Sequence, residues 1–155
     1  MSGFPDDWRV QRLNELGFAY PGLSGKSKED FGAGSNYVPY KNVFFNTFVD
    51  MNYVDQVNVL PDESQNKVQQ GDVLLTISSE TPGEVGMSAI VADEVIGDLY
   101  LNSFCFGFRP TVGGLLPRYL GYAFRSDYMR RKLVFLAQGS TRFNISKARV
   151  LNMTT

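Results

Sequence analysis

The sequence contains no histidine. That excludes Ser-His-Asp and Cys-His nucleophilic systems, and nearly every zinc arrangement, in one step. Ser140 therefore lacks an ordinary general base, although a lysine can serve in principle, and it reads first as a turn or capping serine. Cysteine is almost as scarce. The single Cys105 excludes an intramolecular disulfide and fits a reducing compartment, so a cytoplasmic location is expected. In that compartment Asn144-Ile145-Ser146 and Asn152-Met153-Thr154 are chance matches to the glycosylation pattern. No apolar run reaches the roughly 20 residues a membrane helix needs. The opening MSGFPDDWRV has neither the basic nor the apolar region of a signal peptide. Internal repeats and low-complexity tracts are missing too.

What remains is the profile of one ordinary globular domain: 155 residues, 43% apolar and 20% charged. The net charge of −1 hides a division along the chain. Residues 1–100 hold six Lys/Arg against fifteen Asp/Glu, whereas residues 101–155 hold nine Lys/Arg against Asp127 alone. A basic second half suits a face offered to a polyanion. It equally suits two halves that neutralise each other across a fold, because a sequence half need not be a spatial face.

The pattern of elements points to an α+β domain: a mixed or antiparallel twisted sheet followed by C-terminal helices, with long polar loops. Residues 5–17 carry Trp8, Val10, Leu13 and Leu16 on a mixed helix-or-strand pattern that stops at Gly17. YPGLSGKSKEDFGAGSNY, rich in glycine and serine, reads as an exposed loop. Short β-like runs follow: YVPYKNVFF, QVNVL, DVLLTI, MSAIVA and YLNSFCFGF, the last with Leu101, Phe104, Phe106 and Phe108 toward one buried face. Pro117 then opens a helix with Leu116, Leu120, Ala123 and Phe124 on its apolar stripe. Ser126-Asp127 marks a second N-cap, before a stripe of Met129, Leu133, Leu136 and Ala137, with Gly139 as the stop. A short last helix falls near 145–151, capped by Asn144 or Ser146.

Several chemical motifs fail on inspection. FGAGSNY lacks the third glycine of a dinucleotide fingerprint, because position 37 is tyrosine; Gly25-Lys26-Ser27 has Tyr20 where a Walker loop needs glycine. No lysine has a carboxylate two residues before it, as a metal-dependent nuclease would typically require. Glu80 and Glu84 could form a general acid/base pair. Pro82-Gly83 marks a turn between them, so they read instead as loop residues that bond polar groups or cap a helix. No metal ligand set and no cofactor site emerge. Nucleic acid fares better, since loops 24–37, 78–86 and 138–147 combine phosphate-neutralising cations with groups able to read base edges. Phosphate contacts are expected from Lys26, Lys28, Lys41, Arg142 and Lys147, with Ser140 and Thr141 as further donors. Base-edge candidates are Asn36, Tyr37, Ser79, Thr81 and Asn144.

Four segments, GLSGKSKEDFGAGSNYVPYKNVF, GDVLLTISSETPGEVGMSAIV, YLNSFCFGFRP and AQGSTRFNISKARVLNM, stand here in one order. That order resembles a target recognition domain of the specificity subunit of Type I DNA restriction-modification enzymes, from Trp8 to about Met153. GDVLLTISSETPGEVGM resembles the family's Gly-Asp before a buried strand, and AQGSTRFNIS its closing loop after paired helices. The resemblance implies a non-catalytic chain that binds double-stranded DNA and reads one half of a bipartite site. Modification subunits with S-adenosylmethionine, and a restriction subunit using ATP and Mg, would be its partners; it would hold no cofactor itself. It further implies one recognition domain over 1–155, without the family's spacer helix and second recognition domain. A natural half-subunit would be expected to dimerise. A protein-interaction module with a basic C-terminal face, a fragment no longer competent for assembly, and a hydrolase using Glu80 and Glu84 stand as alternatives.

Overall fold

The structure, a computed structural model, describes residues 12–79, 81–112, 117–136 and 143–153. Its centre is a four-stranded antiparallel sheet in the order β1 (Gly17–Pro21), β8 (Cys105–Pro110), β4 (Val73–Thr76), β6 (Ser88–Ile90). Beside it lies a three-stranded sheet, β3 (Asp55–Val57), β2 (Phe31–Val38), β7 (Leu99–Leu101), in which β2 and β7 run parallel. A two-stranded ribbon pairs β5 (Ser78–Ser79) with β9 (Phe143–Asn144). The helices are α1 (Leu13–Leu16), α2 (Tyr40–Phe45), α3 (Pro117–Arg125), α4 (Asp127–Phe135) and α5 (Lys147–Leu151). The expected α+β class, with helices gathered toward the C-terminus, is the one observed.

DVLLTI explains the layering. Successive side chains of a strand point to opposite faces, and β4 is buried along its whole length. Val73 and Leu75 join Phe106, Phe108, Leu120, Phe124, Met129, Leu133 and Val150 under the C-terminal helices. Leu74 joins Val38, Val43, Leu99 and Leu101 on the other side, under α2 and the second sheet. A strand covered on both faces has no polar alternation to display, hence the unbroken apolar run.

Three sequence expectations are corrected. YVPYKNVFF does not form one strand: Pro39 ends β2 and takes the N-cap position of α2. Six residues are too few to separate a period of 3.6 from one of 2, and distant groups stabilise the helix. Arg125 donates through Nη2 to the carbonyls of Val43, Phe44 and Asn46 at 3.2, 2.9 and 2.9 Å, and through Nε to Ser88 at 2.6 Å. A cation on the last carbonyls of a helix satisfies orphan acceptors and complements its dipole. Burial holds the Arg125 pKa below its ordinary value.

Second, residues 31–38 of the supposed loop are a strand, though an interrupted one. Phe31 and Ser35 both face Val57, so Gly32-Ala33-Gly34 bulges out, with φ of 108° and 114° at the two glycines. Those angles favour glycine. The loop reading holds only for residues 22–30, because Tyr20 and Pro21 end β1; within that span Ser27 and Asp30 form a capping box around a 3-10 turn. Third, YLNSFCFGF is two strands joined by a turn over Asn102–Phe104; Asn102 Oδ1 accepts from the Phe104 amide at 2.8 Å. Phe104 points outward at 59% exposure, while Leu101, Phe106 and Phe108 are buried.

Other expectations hold. The helix boundary at Ser126 is as read: its hydroxyl accepts from the Met129 amide at 3.3 Å, and Met129 and Leu133 are buried. Ser146 occupies the N-cap position of α5, without a side-chain cap bond. Gly17 closes α1 as expected, but it also opens β1 opposite Pro110. The expected stop at Gly139 and the stripe positions Leu116 and Ala137 lie outside the described residues. No helix among the described residues is long and apolar enough to cross a membrane.

Candidate nucleic-acid interface

Two of the three polar loops are brought together by the β5–β9 ribbon. Ser78 pairs with Asn144 and Ser79 with Phe143, and the Ile145 amide continues the ladder onto the Ile77 carbonyl at 2.8 Å. Residues 77–79 and 143–145 are therefore joined by backbone hydrogen bonds. Two side chains that the sequence reading left aside support this platform. The Tyr40 hydroxyl donates to the Ser78 carbonyl at 2.7 Å. The Arg130 Nη2 donates to the Gly83 carbonyl at 2.8 Å, tying the 82–84 turn to α4. Assigning Tyr40 to a strand hid the first contact, and the second joins residues 47 positions apart in the sequence.

Inside the 78–84 loop, Ser79 organises the backbone. Its hydroxyl donates to Glu84 Oε2 at 3.2 Å and accepts from the Thr81 amide at 3.2 Å, and the residue is 6% exposed. Ser79 thus shapes the turn, while Thr81 is the exposed member of the pair. Glu84 does what was expected of a loop carboxylate, bonding a neighbouring polar group. Glu80 lies outside the described residues, as do Ser140, Thr141 and Arg142. Asn144 is fixed by its backbone pairing to Ser78. Lys147 starts α5 and is half-buried.

Loop 24–37 belongs to the other sheet, and its candidates have different fates. Lys26 is ion-paired with Glu63 and its side chain is only 7% exposed; the pairing holds the Glu63 carboxyl below its ordinary range. Its charge is thus already neutralised by a carboxylate, and a phosphate would have to displace Glu63. Lys28 is exposed, beside Glu29 and Asp30. Tyr37 is 9% exposed and packs with Leu23, Val57 and Tyr100, its ring meeting Phe31 edge-on. Burial, and then Asp55, push its phenol pKa upward. A ring so committed is core, whereas the adjacent Asn36 faces solvent from the middle strand. Lys41 is exposed on α2, the helix whose first residue contacts Ser78.

Three cations of the basic second half are engaged inside the fold. Arg109 is spent on Asp72, Arg125 on α2, and Arg130 on Gly83. Part of the positive charge of the second half is therefore used within the fold, and only Arg109 among these three meets a carboxylate of the first half. No cluster of three or more potential metal ligands occurs among the described residues.

No family model matches the sequence, and no curated protein does. Solved structures do. The S subunit of a Type-I restriction-modification system from M. genitalium superposes over 99% of this chain with a TM-score of 0.59 at 13% identity, using 35% of its own length. A chain from a type I R-M system, studied for complex assembly and conformational transition, gives 0.63 at 19% identity, again over 99% of this chain and 35% of its own. The HsdS subunit of Thermoanaerobacter tengcongensis gives 0.61 at 18%, over 99% of this chain and 33% of its own. The chain spans about a third of the length of the structures it matches. It thus shares the fold of one region of Type I restriction-modification S subunits.

Proposed function

We propose that this chain is a target recognition domain: it reads one half of a bipartite site on double-stranded DNA as the specificity component of a Type I restriction-modification system. The observation that carries the reading is the match of 99% of the chain to about a third of each S-subunit structure. A region of that size suits one reading unit within a longer specificity protein. The β5–β9 ribbon adds a physical reason, because it presents two polar loops on one backbone scaffold, as base reading in a groove requires.

In this reading the domain is non-catalytic and works in the cytoplasm. It carries no cofactor of its own; S-adenosylmethionine, ATP and Mg belong to the modification and restriction subunits it would join. Thr81 and Asn144 are the base-edge candidates on the ribbon, and Asn36 is the one on the second sheet. Lys28, Lys41, Lys147 and the loop bearing Ser140, Thr141 and Arg142 supply phosphate contacts. Duplex titrations at rising salt test it: counterion release makes log K fall linearly with log salt, by about 0.9 per phosphate contact. A salt-independent affinity would exclude this binding mode.

A further inference from the structure

The turn over residues 81–84 is closed on itself. Ser79 Oγ bonds both Glu84 and the Thr81 amide, and the Glu84 amide donates to the Thr81 carbonyl at 3.0 Å. Its two ends are fixed in the body of the protein. Ser79 lies in the β5–β9 ribbon, and Val85 is fully buried beside Gly86, where an added Cβ would meet Leu133 and Ile145. The middle is different. Thr81, Gly83 and Glu84 are exposed, and an added Cβ at Gly83 would meet nothing within 4 Å. To this open stretch α4 sends Arg130, whose Nη2 donates to the Gly83 carbonyl at 2.8 Å.

A guanidinium is a costly way to hold an exposed carbonyl that water can also solvate. Arg130 is half-buried, and its Nη1 is buried with no hydrogen-bond partner. Among the described residues no carboxylate ion-pairs with it. Burial, and then the charge of Arg125, lower its pKa. A desolvated cation without a counter-charge costs stability, so an apolar side chain of similar length would serve the fold at least as well. What the guanidinium adds is a fixed link from the Gly83 carbonyl to α4, a helix capped by Ser126 and packed through Met129 and Leu133.

Granted the duplex-reading function, on which this rests, we propose that Arg130 is a positioning residue for base discrimination: it latches the 81–84 turn to α4 and so holds Thr81 against a base edge. It does so without touching DNA, because Nη2 is on Gly83 and Nη1 is buried. Recognition groups must be held to within about 0.5 Å of their productive geometry, and a turn fixed only at its ends does not meet that demand. Asn36 has no part in the latch. It sits on β2 between β3 and β7, in the other sheet. The two base-reading elements are therefore supported separately, and releasing Arg130 disturbs one while sparing the other.

Binding of the whole chain to its selected duplex, and to each single-base-pair variant of that duplex, tests the proposal. Thr81→Ala and Asn36→Ala mark the position that each side chain reads. A wrong base pair in a specific site weakens binding about 5- to 150-fold. In Arg130→Met that penalty is expected to drop at least about threefold at the Thr81 position and to persist at the Asn36 position. Arg130→Lys, which keeps a donor on the same helix face, retains it at both. The salt slope of Arg130→Met stays unchanged, its stability to urea is no lower, and the 81–84 amides exchange hydrogen faster in the free chain. Full discrimination in Arg130→Met overturns the proposal and leaves DNA reading standing. An equal loss at both positions, a loss of stability, or an Arg130→Lys chain as impaired as Arg130→Met also overturns it. So does a slope lowered by about 0.9, which would make Arg130 a phosphate contact. A chain that prefers no duplex refutes DNA reading itself, and the latch role with it.

Discussion

Arg109 grips Asp72 with two nitrogens, Nε on Oδ1 at 2.9 Å and Nη2 on Oδ2 at 2.8 Å. The carboxylate is 1% exposed, and it also accepts from the Gln69 amide at 2.9 Å and from the Tyr20 hydroxyl. Arg109 in turn lies over the rings of Tyr20 and Phe18, at 4.9 and 5.6 Å, and donates to the Lys67 carbonyl at 2.7 Å. The Gly-Asp before the buried strand thus has a physical meaning. Gly71, at φ 93°, makes the turn, and Asp72 joins three strands of the sheet through one carboxylate.

Breaking that pair from the arginine side leaves a buried, uncompensated charge. Arg109→Met is expected to cost about 3–5 kcal/mol, the range for orphaning one partner of a buried ion pair. Urea unfolding followed by circular dichroism measures it. A cost below about 1 kcal/mol, the ceiling typical of surface pairs, would mean that the network contributes nothing beyond a surface contact.

Tyr20 of this network and the buried Cys105 together set the alkaline limit of stability. Burial, and then the Asp72 charge, raise the Tyr20 pKa well above its ordinary 10.0, and burial raises that of Cys105 above 9.0. Groups whose folded pKa is raised contribute fully below the unfolded value and lose that contribution as pH climbs past it. Stability should therefore hold to pH 9, then fall as the unfolded thiol ionises, and fall further above pH 10 as the unfolded phenol does. Tyr20→Phe is expected to cost about 1.5 kcal/mol at neutral pH, a hydrogen bond to a charged acceptor, and to show a smaller second decline, the remainder coming from Tyr37, whose phenol pKa is also raised. Parallel curves for the two proteins above pH 10 would contradict the assignment.

Among the lysines, accessibility predicts unequal effects on DNA binding. Lys28→Ala, Lys41→Ala and Lys147→Ala should each lower the salt slope by about 0.9, the share of one phosphate contact. Lys26→Ala should leave the slope unchanged, because its ammonium already faces Glu63. Fluorescence anisotropy with a labelled duplex reads both outcomes, and a slope lost with Lys26 but kept with Lys28 would reverse the assignment.

Ser126 and DVLLTI show which parts of the fold were legible in the sequence: a cap needs only its own helix, and a strand covered on both faces loses the apolar–polar alternation, as in Val73, Leu74 and Leu75. α2 was not legible, because Arg125, some eighty residues away in sequence, satisfies its terminal carbonyls. Nor was the strand at 31–38, where glycine content signalled a loop and the structure folds those glycines into a bulge. In the interface, residue type identified donors and acceptors but not their accessibility. Lys26 and Tyr37 have the chemistry of contact residues, yet Glu63 and the Leu23–Val57–Tyr100 cluster occupy them. The pairing of Ser78 with Asn144 joins positions too far apart in the chain for local pattern to reveal.

The central claim is sequence-specific reading of duplex DNA. Repeated selection of duplexes from a fully randomised pool by the immobilised chain, followed by sequencing, tests it most directly. The account predicts enrichment of one short contiguous half-site, weakened when Thr81 and Asn144 are replaced by alanine. Recovered pools that stay random after successive rounds, or an absence of duplex retention at low salt, would contradict it.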